Sequence, residues 1–246
     1  MKLLYEGKAK RLYEGKAKRL YETEQPDELL MEFKDDATAF NGEKHAQFEN
    51  KGRMNQAISL LLMQLLEKQG VPTHFVSTVG NIRTIVKNVE IIKIEVVVRN
   101  VAAGSLCGRT WLKEGEALKT PLVEWFLKDD DLEDPMINDD HILEMELATA
   151  DELAFLKSEA LKINEILKPF FLKTGLTLID FKLEFGRLST DPSTIILADE
   201  ISPDTCRLWD VTTGEKMDKD RFRRDLGNVM ESYAEVLKRA ENAVNS

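Results

Sequence analysis

Cysteine and histidine, the residue types behind most protein zinc sites, are scarce in this chain. Its 246 residues hold two cysteines, Cys107 and Cys206, and three histidines. None of them lies at the short spacing that zinc ligands share, and two cysteines so far apart suggest no disulfide framework. We therefore expect reduced, partly buried thiols and no zinc centre.

Long apolar runs are also missing. The most apolar stretch, ISLLLMQLL at residues 58–66, is too short to span a bilayer. The N-terminus shows neither the apolar core nor the small-residue cleavage site of a signal peptide. With 43% hydrophobic and 32% charged residues, the composition is typical of a globular protein, and we expect a cytoplasmic location without membrane contact.

Basic residues are outnumbered, giving a formal net charge of −10. This argues against general nucleic-acid binding, because phosphate contacts need clustered Lys and Arg. The one basic cluster, KAKR, occurs twice because the octet YEGKAKRL at residues 5–12 is repeated at residues 13–20. A single eight-residue duplication is far below the period of a repeat architecture. An RNA-binding role for the doubled cluster also lacks interleaved aromatic platforms, so the octet needs a local explanation.

The hydrophobic periodicity predicts an α+β fold with mainly antiparallel sheets. Strands are expected over residues 28–34, 82–98, 176–186 and 193–202, with a turn at Asp191 and Pro192 between the last two. Helices are expected over residues 53–69, from the capping box of Thr149 and Glu152 to about Lys168, and from Lys219 onward. The acidic segment that starts at Lys128 is typical of a long exposed loop. We expect an N-terminal lobe over residues 1–88 and a larger lobe over residues 89–246.

Charged residues alternate with apolar ones in LIDFKLEFG. A strand places Asp180, Lys182 and Glu184 on one face, opposite the apolar residues, and a solvated outer face is the simplest interpretation. The next strand, however, ends in ADEISPD and brings Asp199 and Glu200 close. Carboxylates near a lysine, without histidine or thiolate, suit Mg²⁺ that carries nucleotide phosphates. This pattern favours phosphoryl transfer.

Two further segments fit the same chemistry. In IIKIEVVVRN, Lys93, Glu95 and Arg99 share a strand face, and the following AAGS can let backbone amides and a hydroxyl approach an anion, although a tight turn is the simpler interpretation. In YEGKAK, a glycine followed by two lysines on one face can form a hairpin lid over ATP phosphates. This lid is neither a Walker A loop nor the full glycine-rich loop of kinases.

Seven segments in order make the chain resemble a known family: YEGKAKRLYE, KDDATAFNGEK, KGRMNQ, VEIIKIEVVVRNVAAGS, LIDFKLEFG, ADEISPDTCRLWD and DKDRFRRDLG. They are similar to the phosphoribosylaminoimidazole-succinocarboxamide synthase (SAICAR synthetase) family of purine biosynthesis. The resemblance implies a two-lobed α+β fold, with an N-terminal antiparallel lobe like the small lobe of a protein kinase and a larger ATP-grasp-like lobe with C-terminal helices. It implies a ligase that joins L-aspartate to the carboxylate of an aminoimidazole carboxylate ribonucleotide, with ATP cleaved to ADP and phosphate.

The resemblance also implies roles for individual residues. The candidate catalytic residues are Lys182, Asp180 and Arg99. The candidate ATP-binding residues are Gly15, Lys16, Lys18 and the backbone of Glu90 and Ile91, with Gly7, Lys8 and Lys10 as the alternative register. The candidate substrate-binding residues are Arg99, Ser105, Arg207, Asn41, Gly42 and Lys51, and the candidate Mg²⁺ ligands are Glu184, Asp199, Glu95 and Asp134. We expect small-molecule substrates and a homo-oligomer, with His45, His74 and His141 at the surface.

The chain departs from the family pattern at two places, and it has competing interpretations. The family usually has proline where Lys93 stands, and CGRTW is atypical after AAGS. There are two alternatives. One is a nucleotide-binding homologue that no longer catalyses because the extra octet disrupts its phosphate lid, and the other is a different ATP-dependent carboxylate–amine ligase. We expect the second octet to form the lid and the first to remain a loose extension, because ordering a residue costs about 1–2 kcal/mol.

Overall fold

The computed structural model describes residues 2–6, 11–39 and 43–245. It contains two large sheets in which neighbouring strands run antiparallel. The first sheet has the order β1-β2-β3-β4-β8-β7. Its strands are β1 (Lys2–Glu6), β2 (Arg11–Glu14), β3 (Lys18–Glu22), β4 (Glu28–Phe33), β7 (Phe75–Val79) and β8 (Arg83–Lys87).

The second sheet has the order β11-β10-β9-β12-β13, and β14 pairs with β12. Its strands are β9 (Val89–Val101), β10 (Ala117–Leu127), β11 (Met136–Ile137), β12 (Leu176–Leu188), β13 (Asp191–Ala198) and β14 (Cys206–Asp210). A separate hairpin consists of β5 (Asp36–Ala39) and β6 (Lys44–Gln47). The two long central strands, β9 and β12, pair along most of their length.

Six helices complete the described structure: α1 (Lys51–Lys68), α2 (Ser105–Arg109), α3 (Asp139–Glu144), α4 (Ala150–Lys173), α5 (Asp220–Arg223) and α6 (Val229–Asn245). The α+β class with antiparallel sheets is therefore confirmed. No helix in these described ranges is long and apolar enough to cross a membrane.

The main core lies between the second sheet and helices α1 and α4. From Ile92 to Val98 in β9 and from Phe181 to Phe185 in β12, every second residue is apolar and buried, as period-two geometry requires. Helix α1 packs against them through Ile58, Leu62 and Leu66. A smaller cluster joins Ala37 of the β5–β6 hairpin to Tyr233 of α6. Both cysteines are free thiols, Cys206 buried and Cys107 partly buried, as expected.

Several element boundaries differ from the sequence prediction. The turn expected at Asp191 and Pro192 lies at residues 189–190 instead, and β13 runs from Asp191 to Ala198 and not to residue 202. Helix α4 starts at the predicted capping box but continues through Pro169 to Lys173. A proline there removes one hydrogen bond close to the helix end, and the buried Phe171 holds the last turn. The acidic segment is not one loop, because it holds a 3₁₀ turn (Asp130–Leu132), β11 and α3.

The expected C-terminal helix is broken into α5 and α6. Asp225, Gly227 and Asn228 all have positive φ, which no continuous helix allows. Leu226, between the two helices, is therefore exposed, whereas Val229 and Tyr233 are buried.

The duplicated octet adds a strand to the first sheet. The second copy supplies the turn between β2 and β3, and these strands pair in register from Glu14 and Arg19 outward. Residues 2–6, which include the start of the first copy, form β1 and pair with β2 at the sheet edge. The expectation of a wholly loose extension was therefore wrong for residues 2–6, because the open edge of β2 offers backbone partners.

Candidate active site

A cleft of about 1630 Å³ is lined by the β2–β3 turn, the charged faces of β9 and β12, and the segment after β13. Within it Glu184 lies opposite Glu95, and Asp180 lies opposite Arg99, across the β9–β12 pairing. Asp180 and Glu184 are each only 3% exposed. The interpretation of this strand face as a solvated outer surface is therefore wrong.

Lys182 lies at the centre of this charged face. Its Nζ is 2.8 Å from Oε1 of Glu95 and 2.5 Å from Oε1 of Glu184. Lys128, which the sequence analysis did not assign, donates to the same Glu184 oxygen at 2.7 Å. Burial alone would lower the pKa of Lys182, but the carboxylates of Glu184, Glu95 and Asp199 raise it well above its usual value. The charged ammonium is therefore the expected form of Lys182 at neutral pH.

Burial shifts the pKa of Glu95, the carboxylate across the strand pair, in the opposite direction. It raises the pKa of Glu95, and the neighbouring Glu184 raises it further, although Lys182 acts against both. Two carboxylates that face each other in this way attract a cation more strongly than either does alone.

Lys18 in β3 reaches across the cleft to the end of β13. It forms ion pairs with Asp199 and with Oε1 of Glu200, the latter at 2.9 Å. Burial alone would lower the pKa of Lys18, but these two carboxylates raise it above its usual range. Successive strand residues normally point to opposite faces, yet Asp199 has φ +58°. This left-handed turn directs two consecutive carboxylates to one ammonium.

The β2–β3 turn closes over the same region. Gly15 donates its N–H to the Lys18 carbonyl at 2.8 Å and thus closes the hairpin. Lys16 extends from the turn to Oδ1 of Asp130 at 2.8 Å, and both side chains are partly exposed. The two lysines of the second octet are thus in the cleft, while Gly7, Lys8 and Lys10 lie outside the described residues.

Arginines gather at the other end of the cleft. Arg99 donates to Glu124 at 2.6 Å, to Asp180 at 2.8 Å and to the Ser105 hydroxyl at 3.2 Å. Arg207 donates to Asp180 at 2.8 Å. Asp180 thus holds two guanidinium groups side by side, an arrangement that suits a phosphate.

Gly104 brings Arg207 close to this cluster. Its φ is +54°, and a Cβ at this position would overlap the Arg207 guanidinium. The glycine of AAGS is therefore required both by its backbone conformation and by its neighbour.

Of the remaining predicted site residues, some line the cleft and others do not. Asp134 and Ile91 line the cleft. Glu90 is exposed just before Ile91. Lys51 is buried and pairs with Asp204 at 2.5 Å. Asn41 and Gly42 lie outside the described residues.

Oxygen donors dominate the possible metal-binding groups. Within the described part of the chain no three His, Cys, Asp or Glu side chains are grouped as a metal site, because Lys18 and Lys182 separate the carboxylates. Mg²⁺ is commonly held by only one or two carboxylates together with phosphates and water. The donor set of Glu184 and Asp199, beside the unpartnered buried Oε2 of Glu200, fits that ion.

The structure adds two residues at the arginine end of the cleft that the sequence analysis left without a role. Lys219 and Arg223 both line the cleft, and burial lowers the pKa of Lys219 to about 8 although Asp204 acts against it. Both residues lie in the quoted segment DKDRFRRDLG. Its run of basic residues was the available signal.

His74 was expected at the surface and is instead 5% exposed. It follows α1 and lies beside the end of β13, where burial lowers its pKa to about 4. His45 and His141 are exposed, as expected.

Comparison with known proteins identifies the family. The family model described as SAICAR synthetase matches residues 3–240. The phosphoribosylaminoimidazole-succinocarboxamide synthase of Akkermansia muciniphila is 62% identical, with 98% of this chain and 99% of the relative covered.

Solved structures give the same result. The synthase of that name from Ehrlichia chaffeensis superposes with a TM-score of 0.91 at 47% identity, covering 93% of this chain and 97% of the other. A SAICAR synthetase in complex with ADP gives 0.90 at 48% identity, with the same coverage. The chain therefore belongs to the SAICAR synthetase family, whose members are ATP-dependent carbon–nitrogen ligases of purine biosynthesis.

Proposed function

We propose that this chain joins L-aspartate to the carboxylate of the aminoimidazole carboxylate ribonucleotide, with ATP cleaved to ADP and phosphate and SAICAR as the product. The observation that carries the proposal is the alternation of cations and carboxylates around Lys182, next to the paired arginines Arg99 and Arg207. One end of the cleft thus suits a reacting triphosphate, and the other suits a ribonucleotide phosphate.

The chemistry requires an activated carboxylate. In the proposed path a carboxylate oxygen of the ribonucleotide attacks the γ-phosphorus of ATP, and the bond from that phosphorus to the ADP oxygen breaks. The aspartate amine then attacks the acyl carbon, the bond from carbon to the phosphate oxygen breaks, and the amine proton passes to solvent or to the departing phosphate. Such transfers depend mainly on positioning and charge neutralisation.

The lysines supply that neutralisation. Lys16 and Lys18 of the second octet contact the ATP phosphates, Lys182 neutralises the transferring phosphoryl group, and the hinge backbone at Glu90 and Ile91 receives the adenine. Lys128, already bonded to Glu184, adds a fourth positive charge. Because these ammonium groups are paired with carboxylates, they are held in place before the nucleotide arrives.

Mg²⁺ is the metal that the oxygen donors fit. Glu184 and Asp199 would hold it, with Glu95 and Asp134 nearby, and when bound it supplies further neutralisation of phosphate charge. The structure of a relative with ADP supports nucleotide binding in this chain.

The arginine end binds the ribonucleotide in this proposal. Arg99, Ser105 and Arg207 hold its phosphate, and Asp180 acts by fixing the two guanidinium groups. Asn41 and Gly42 contribute to substrate binding, and Lys51 acts indirectly through Asp204. Lys219 and Arg223 offer cations for the carboxylates of L-aspartate.

We extend the proposal to the molecule as a whole. Residues 1–88 form a kinase-like small lobe and residues 89–246 a larger ATP-grasp-like lobe, although the apolar face of α1 belongs to the core of the second sheet. In this proposal the enzyme works in the cytoplasm and as a homo-oligomer.

The test measures ADP release in the presence and absence of each substrate and identifies the product by its mass. ADP formation should require both aspartate and the ribonucleotide, and Lys182→Met should lower kcat at least ~100-fold while ADP affinity changes little. ATP binding without substrate-dependent ADP release would instead support the inactive homologue. Reaction with a different carboxylate would support another ligase of the same scaffold.

A further inference from the structure

His74 lies next to the candidate metal carboxylate but belongs to no motif with an assigned role. It follows α1 and Pro72 in the segment that leads into β7. Its side chain is buried beside Asp199; burial lowers the pKa of the ring, and a hydrogen bond to the Asp199 backbone acts against that lowering. A buried ring beside the backbone of a candidate metal ligand requires an explanation.

The backbone around Asp199 is unusual. Its φ of +58° lies in a region that non-glycine residues seldom occupy. The turn starts directly after Ala198, the last residue of β13. Without it, Asp199 and Glu200 would point to opposite sides of the strand and could not both reach Lys18.

A short parallel connection supports β13 up to that turn. The Leu197 N–H donates to the Pro72 carbonyl at 3.1 Å, and the His74 N–H donates to the Leu197 carbonyl at 2.8 Å. Thr73 and Leu197 form an isolated parallel bridge. The backbone ladder ends there, two residues before Asp199. The His74 ring lies at this end of the ladder, beside the backbone of Asp199.

The segment is itself firmly held. The Lys87 N–H donates to the His74 carbonyl at 2.7 Å, and Lys87 Nζ donates to the Thr73 carbonyl at 2.8 Å. The Thr73 hydroxyl donates to Glu67 at 2.7 Å. The ring donor is therefore fixed relative to β8 and α1, and it transmits that position to Asp199.

We propose that His74 is a positioning residue that holds Asp199 in its left-handed conformation and thereby aims its carboxylate at the nucleotide-bound cation and at Lys18. The inference rests on the proposed function, since it takes Asp199 as a ligand of that cation. Changing a group that orients a metal-binding residue typically lowers metal affinity by about 10–100-fold.

The test uses three substitutions of His74 and one matched control. His74→Leu removes the donor and keeps apolar volume, whereas His74→Asn and His74→Gln keep an N–H at two different reaches. Thr73→Val removes a neighbouring buried hydrogen bond without touching Asp199. The probe is Mn²⁺ binding to the ADP complex, followed by electron paramagnetic resonance, with thermal unfolding as the measure of folding and kcat and KM for ATP as the kinetic readouts.

We expect His74→Leu to weaken Mn²⁺ binding by about 10–100-fold and to lower kcat more than it raises KM, with Thr73→Val within ~3-fold of the unaltered chain. At least one amide variant should recover most of the loss. The inference is wrong if folded His74→Leu binds Mn²⁺ with normal affinity, or if His74→Asn and His74→Gln both bind it as weakly as His74→Leu. If His74→Leu does not fold, His74→Ala replaces it, and normal Mn²⁺ affinity of that variant contradicts the inference. Asp199→Asn separates the two claims. If it alone loses Mn²⁺, only the role of His74 fails, and if it too keeps Mn²⁺, the metal assignment fails as well.

Discussion

At the scale of single residues, the site depends on a few atoms whose position no local pattern specifies. Gly104 is the clearest case, because Arg207 lies where any larger residue would place its Cβ. Gly108 in the same segment has open space around it and provides a matched comparison.

Gly104→Ala should therefore raise the KM for the ribonucleotide by ~10-fold or more and leave the KM for ATP within ~2-fold, since a displaced Arg207 loses a charge-assisted contact. Gly108→Ala should leave both constants nearly unchanged. Steady-state kinetics with each substrate varied in turn checks this. Equal effects of the two substitutions would contradict the assignment of the arginine end.

Residue patterns predicted part of this site and missed another part for a physical reason. Period-two alternation correctly grouped Asp180, Lys182 and Glu184, because a strand fixes the direction of every side chain. It could not reveal the left-handed turn at Asp199 or the buried ring of His74. Both depend on the parallel contact between Pro72–His74 and β13, which joins segments more than 120 residues apart in sequence.

At the scale of elements, the β2–β3 hairpin offers an internal control, since each octet carries the same two lysines. Lys18 pairs with Asp199 and Glu200, so Lys18→Ala should raise the KM for ATP or lower kcat by ~10-fold or more. Lys10→Ala, the same change in the first octet, should alter neither by more than ~2-fold. ATP titrations of the two variants check this, and the reverse order of effects would mean that the first octet forms the lid.

Helix α4 allows a prediction about pH. Glu152 receives two hydrogen bonds from Arg187, at 2.7 and 2.9 Å, and one from the Thr149 N–H at 2.8 Å. The Arg187 hydrogen bonds, with further help from Thr149, lower the pKa of Glu152 to about 2. The folded pKa is below the unfolded one, so the interaction stabilises the protein above pH 4.5 and is lost as the pH falls towards 2.

Glu152→Gln keeps the capping-box geometry and removes the charge. We expect it to lower the free energy of unfolding by about 1–2 kcal/mol at pH 7, with a smaller difference at pH 3. Glu159→Gln on the same helix, where a partly exposed partner lies at 3.4 Å, should cost less than about 0.5 kcal/mol. Denaturant titrations at both pH values check this, and a loss for Glu152→Gln that does not change with pH would contradict the ion-pair explanation.

At the scale of the whole molecule, the sequence predicted the fold class, the long strand β12 and helices α1 and α4, but neither strand β10 nor the way the ends of the elements meet. The break between α5 and α6 and the continuation of α4 through Pro169 depend on packing from distant segments, which override local signals. The charged cleft is a property of this scale as well. It brings together β3, β9, β12 and the segment after β13, and each contributes one part of the proposed phosphoryl-transfer site.

The most direct test of this account follows an oxygen atom. The ribonucleotide is prepared with ¹⁸O in its carboxylate and incubated with the enzyme, ATP, Mg²⁺ and L-aspartate, and the released phosphate is examined by mass spectrometry. The account predicts one ¹⁸O in the phosphate for each SAICAR formed, because the carboxylate oxygen attacks the γ-phosphorus and leaves with it. Unlabelled phosphate formed together with SAICAR would contradict phosphorylation of the carboxylate in this cleft.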